Sequence, residues 1–195
     1  MAVVPGDMIV EDGTGLIDAN SYVDIAYVDE YHRLRDNTLW ADSDDNDKAS
    51  SIIRASQYID ERFTFRGSIL NPEDQDIVPG TPDGPQGLQW ARVDVWNRNG
   101  VDVSETVPIE IEQATAEYAL RILGDGTGKV DLQPDPDTGE EGKTVSSKRE
   151  KVGPIEEETK YDTSMGIRTV QPYPFADSII WKSGFAINAG TAVVR

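Results

Sequence analysis

Apolar residues recur at helical spacing in three long stretches of this chain, and the polar positions between them carry turn and spacer chemistry. In the first stretch Ile25, Val28, Tyr31 and Leu34 repeat every third residue, which predicts a helix of about ten residues with these four on its buried side. Asp24 is suited to cap it, because a carboxylate accepts the unpaired N–H groups of a first turn. Asp36-Asn37 ends it, and Trp40 in the following link is expected to plug the core. The second stretch, residues 48–63, buries Ala49, Ile52, Ile53, Ser56, Ile59 and Phe63. The third follows Val107, with Pro108 at the first helical position, where its missing N–H costs nothing. Ile111, Ala114, Tyr118 and Ile122 form its stripe, Glu110, Glu112 and Glu117 decorate it, and Gly124 is its left-handed cap. A last short helix over residues 174–183 presents Phe175, Ile179 and Ile180, with Trp181 nearby.

The intervening segments read differently. Residues 1–22 are rich in turns, since Asp and Asn bond their own backbone and Gly admits positive φ. Residues 67–87 form a long loop with Pro72, Pro79, Pro82 and Pro85, and residues 124–142 are too poor in apolar groups to offset the entropy of ordering. Residues 146–151 and 155–161 flank Gly153-Pro154 and predict a hairpin, one arm basic and the other acidic, with opposite charges facing across it. The expected fold is mainly α: a small helical bundle with a projecting β-hairpin and an extended C-terminal arm. Its parts are residues 1–123 (helical core with the opening segment and the Gly/Pro-rich loop), 124–145 (flexible acidic spacer), 146–165 (hairpin) and 166–195 (C-terminal arm with a short helix).

Charge narrows the function. Among 195 residues, 36 acidic and 18 basic side chains give a formal net charge of −18. Residues 1–120 hold 24 acids and 8 bases, so this part is poorly suited to grip DNA, which is held mainly through phosphate neutralisation by Lys and Arg. There is no cysteine, hence no disulfide framework and no thiolate zinc site. The first ten residues carry Asp7 and no base, unlike a secretory signal, and no apolar run reaches the ~20 residues of a membrane span. A soluble protein assembled in a cytosol is expected, with no membrane partner.

No catalytic set emerges. His32 is the single histidine and is expected on a surface or helix flank, so a His-dependent triad or multi-His metal site has nothing to build on. Residues 42–47 resemble a calcium loop superficially, but Asp47 stands where the loop needs glycine, and dipole matching explains the run. Residues 124–130 have the flavour of a phosphate loop, yet Leu123 replaces the first glycine and Val130 the hydroxyl residue. Acid pairs such as Asp29/Glu30 and Glu140/Glu141 read as solvated charges. Trp40, Trp90, Trp96 and Trp181 read as core or subunit-contact groups, since base-stacking platforms come with a basic groove. Neither a cofactor nor a metal is expected, and the protein is not expected to be an enzyme.

Three stretches together carry a resemblance. They are Val10-Glu11-Asp12-Gly13-Thr14-Gly15-Leu16 with Asp18-Ala19-Asn20-Ser21-Tyr22-Val23; Gln86-x-Leu88-x-Trp90-x-Arg92 with Val107-Pro108; and Lys151-Val152-Gly153-Pro154-Ile155. In order and spacing, over about residues 8–162, they resemble the head-to-tail connector (adaptor) proteins of long-tailed bacteriophages, a group often described as "putative DnaT-like single-stranded-DNA-binding protein". Ala91 departs from that pattern, which commonly has proline there, so a local difference in the bend is expected. The resemblance implies a ring, usually of twelve copies, docked beneath the portal and extending the DNA channel to a tail-side neck or tail-terminator protein. Packaged double-stranded DNA would pass through it without specific binding. Lys148, Arg149, Lys151, Phe175, Ile180 and Trp181 are then expected to touch other subunits, because they lie on segments too small to bury them. A single-stranded-DNA-binding replication accessory is the alternative.

Overall fold

The computed structural model describes residues 3–70, 85–124, 130, 132, 145–151, 156–161 and 173–187. The chain divides into a helical unit, residues 1–130 with 173–195, and a second unit, residues 131–172.

Local chemistry sets the helix ends of the first unit. Helix α1 (Ile25–Arg33) begins where the Asp24 carboxylate accepts the Tyr27 N–H at 2.7 Å. A single turn, α2 (Thr38–Ala41), carries Trp40 into the core. Asp44 caps α3 (Asp45–Arg62) by accepting from Asn46 N and Asp47 N at 2.9 and 3.0 Å, so the acidic run serves the start of this helix. Among the described residues no group of three or more His, Asp or Glu gathers to hold a metal. Helix α4 (Ile109–Leu123) starts one residue later than expected, with Pro108 as its cap, and Gly124 leaves it at φ +70°. Helix α5 (Pro174–Ser183) has the expected bounds and stops at Gly184 in the left-handed region.

Helix α4 packs between α3 and α5, and α1 lies against α3 and α4. The expected stripes of α3 and α4 are buried except for Ile53, which is half-buried. On α1 the expectation needs correcting: Leu34 falls just past the helix end and is 67% exposed, while His32 turns inward and is fully buried. Glu117 likewise is buried in α4 rather than decorating it.

Two short antiparallel pairs close the end of α3. Strand β1 (Thr64–Phe65) pairs with a C-terminal strand, and β2 (Ser68–Ile69) pairs with β3 (Arg92–Val93), Ser68 opposite Val93. In the second unit, β4 (Val145–Lys151) and β5 (Glu156–Tyr161) form the expected antiparallel hairpin. Arg149 stands opposite Glu158 and Lys151 opposite Glu156, while Glu150 faces Glu157. Gly153 and Pro154 lie outside the described residues, as does most of the 124–145 spacer. The C-terminal partner of β1 is β6 (Ala186–Ile187), with Phe65 opposite Ala186. An aromatic cluster fills this corner: Trp90 meets Phe185 at 5.0 Å and Phe65 at 5.5 Å between ring centres, and Phe63 meets Trp181 at 4.9 Å. Among the described residues no helix is long and apolar enough to cross a membrane.

Candidate functional site

The residues that carry the resemblance form a structural joint. Glu11 is buried, and its carboxylate accepts Gly13 N, Gly15 N and Leu16 N at 2.8–2.9 Å. Gly13 sits at φ +99°, and a side chain there would collide with the Glu105 carbonyl. Asp12 accepts from the Thr14 hydroxyl and amide, and Asn20 bridges Ile9 N and the Asp7 carbonyl. This coil docks on the second motif: Gly87 N donates to Leu16 O at 2.9 Å, and a Cβ on Gly87 would stand 2.3 Å from the Ala19 carbonyl.

The second motif is equally committed to the fold. Gln86 Nε2 donates to the Leu88 and Ala91 carbonyls, and Trp90 is fully buried. The Trp90–Ala91 peptide bond is cis, at the position where the resemblance leads one to expect proline. Arg92 is buried and spends its guanidinium on carbonyls: Arg66 O at 2.8 Å, Gly67 O at 3.0 Å and Gln89 O at 3.1 Å. It has little left to offer a phosphate. Beside it the Tyr22 hydroxyl and Gln89 N donate to Asp60, and burial pushes the Asp60 carboxyl up to about 7.

Two further polar clusters clamp helices together. Asp177 accepts from the Tyr118 hydroxyl, from Arg62 Nη2 at 2.6 Å and from Tyr173 N at 3.1 Å, which fastens α5 to α3 and α4. Glu117 accepts from the Tyr31 hydroxyl at 2.9 Å and pairs with Arg121 at 2.7 Å. His32 lies in the same interface. Asn37 Nδ2 donates to its Nδ1, so Nε2–H donates to the Ala116 carbonyl and the ring is neutral, in keeping with the downward push of burial on its pKa. The sequence reading missed these buried acids and the histidine. Position held a partial signal: Asp60 lies four residues after Ser56 on the buried row of α3, and Asp177 three before Ile180.

The expected contact residues divide. Ile180 is fully buried and half-buried Trp181 packs on Phe63, so α5 buries these groups within its own chain, contrary to the reasoning that its segment is too small. The surface of α4 and the aromatic corner supply the partner. Phe175 is 56% exposed. Lys148, Arg149 and Lys151 share β4.

Most cations of the helical unit are internally engaged. Arg33, Lys48, Arg62 and Arg121 hold acids, and Arg35 and Arg66 donate to backbone carbonyls. Arg54, Arg98 and Lys182 make no side-chain bond among the described residues. Of the tryptophans, Trp40 and Trp90 are core, and Trp96 alone stands 51% exposed, on a turn that also carries Arg98. At the other end of α3 a cleft of about 340 Å³ is lined by Asp29, Arg33, Asp36, Asn37, Trp40 and Lys48 among others. Asp29 accepts there from Trp40 Nε1 at 2.7 Å and Lys48 Nζ at 2.9 Å.

Residues 6–184 match the model of a protein family described as "Putative DnaT-like ssDNA binding protein", and the chain belongs to that family. No curated protein and no solved structure matches the chain.

Proposed function

We propose that this protein is a structural subunit of a bacteriophage neck: it forms the ring-shaped head-to-tail connector beneath the portal, extends the DNA channel and offers the tail its attachment surface. One observation carries this reading. The basic side chains of the helical unit are largely spent on its own acids and carbonyls, under a formal charge of −18. Such a surface repels phosphates and lets packaged DNA slide past. The resemblance of the motifs to phage adaptors supports the same reading. The ring would be a homo-oligomer, of twelve copies by that resemblance, in the neck of a virion assembled in the host cytoplasm. Lys148, Arg149 and Lys151, together with exposed Phe175, are its proposed contacts with the portal or the tail-side protein.

A second reading has its own support. The family description names single-stranded-DNA binding, and an exposed Trp96 on one turn with Arg98, whose guanidinium makes no bond among the described residues, supplies the residue types a base-stacking site uses. Mixing the purified protein with the portal protein separates the two. Light scattering and negative-stain imaging are expected to find a ring on the portal, and Ala replacements of Lys148, Arg149 and Lys151 to weaken its attachment. Absence of any assembly, with tight oligonucleotide binding that fades steeply in salt, would favour the second reading instead.

A further inference from the structure

We propose that the Trp96–Val101 turn of one copy inserts into the Asp29–Asp36–Trp40 cleft of a neighbouring copy, joining subunits head to tail. This rests on the ring reading and names its lateral contact. The turn is a braced projection. Asn97 N donates to Val101 O at 2.9 Å, Val103 N to Val95 O at 3.0 Å, and the Asn97 carboxamide accepts from Asn99 N and Val101 N. Arg98 N donates to Ser183 O, anchoring the turn to the end of α5. Yet Trp96 and Val101, on its two flanks, stand 51% and 55% exposed. A half-covered indole on the same turn as a guanidinium that makes no bond among the described residues has the chemistry of an interface anchor, because Trp and Arg dominate binding hot spots.

The cleft offers it room and one acid, since Arg33 and Lys48 in the lining already pair with Glu30 and Asp29. Its volume of about 340 Å³ falls in the range of ligand pockets, roughly 300–1,000 Å³. Asp36, exposed at φ +55°, makes no side-chain bond among the described residues and is the acid available to Arg98. Placement supplies the last argument. The cleft includes Lys48 in the first turns of α3, whereas the turn sits by Ser183 and the aromatic corner beyond Arg62. At 1.5 Å per residue, 18 residues separate those ends by about 27 Å. A turn at one end and its receptor at the other make a heterologous contact, which closes into a ring where the rotation between copies allows it; the ring reading supplies that closure.

The chain has no cysteine, so engineered thiols report contacts without background. Asn97→Cys and Asp36→Cys variants, carrying different tags, are mixed at high concentration and oxidised. The expected product is a 97–36 heterodimer, and a ladder from the double variant, well above the level given by Glu61→Cys on exposed α3. Separately, Arg98→Glu is expected to weaken self-association about tenfold, one strong charged contact's worth, and Asp36→Arg to restore it. Assemblies seen by light scattering while the 97–36 product stays at control level would overturn the docking and leave the ring reading standing. No assembly, alone or on the portal, would overturn both. Quenching by oligonucleotide that disappears in Trp96→Phe would assign the turn to nucleic acid and overturn the docking.

Discussion

A carboxyl enclosed beside the Tyr22 phenol and the Gln89 backbone N–H keeps its proton to higher pH than one in water. Burial moves Asp60 up to about 7, against about 3.9 in an unfolded chain, with Arg92 and Glu61 acting on it in opposite senses. Between those values the folded state keeps a proton that the unfolded state has lost. The stability from this group is therefore complete below about pH 4 and is lost as pH rises through about 7. His32 works the other way: burial lowers its pKa, so the unfolded chain takes up the proton first as pH falls below ~6.5, and stability drops there. The two overlap, so the useful measurement is a difference. The urea midpoint of the native protein minus that of Asp60→Asn is expected to fall from pH 5 to pH 8, conditions chosen to straddle about 7; a level difference would refute the assignment. Glu11 makes the simpler case. Glu11→Ala leaves three N–H groups, two of them buried, without their acceptor, and a loss of about 1–3 kcal/mol in urea denaturation is expected.

Some helix ends were legible in the sequence because caps are local: Asp24, Pro108 and Gly124 act on neighbours within a turn, whereas α3 begins three residues before the expected 48 because Asp44 caps it from inside the acidic run. What each helix buries was less legible, because it depends on distant partners. His32 meets a carbonyl 84 residues away, and Asp177 meets an arginine 115 residues away. Periodicity could not reveal that α5 folds against α4, so its apolar residues looked stranded. The Arg62–Asp177 pair gives that packing a measurable strength, since its side chains are only 11% and 10% exposed. Asp177→Ala removes the carboxylate that Arg62 and the Tyr118 hydroxyl share, leaving Arg62 its bond to the Tyr58 hydroxyl, and is expected to cost about 3–5 kcal/mol. Phe175→Ala, on the exposed side of the same helix, is expected to stay within about 0.5 kcal/mol. Equal losses would mean that α5 does not bury the face described.

At the scale of the whole molecule, salt separates assembly from strand binding by sign. Bringing together copies that each carry −18 costs repulsion over many pairs of exposed acids, whereas the proposed Arg98–Asp36 contact is one local attraction. Salt shortens the reach of both, to about 8 Å at physiological strength, but removes more repulsion than attraction because the repulsive pairs are many and distant. Self-association is therefore expected to strengthen as sodium chloride rises from about 0.05 to about 0.3 M, read as a growing weight-average mass in sedimentation. Strand binding must run the opposite way, because each phosphate neutralised releases a counterion and affinity falls with added salt. Both can be followed on one preparation, with a labelled oligonucleotide and the unlabelled protein. Mass that grows with salt while the oligonucleotide stays free supports a building block whose acids hold DNA off. Mass that shrinks, with oligonucleotide bound tightly at low salt, would show that the cations outweigh the acids around them, and the reading would pass to a strand-binding protein.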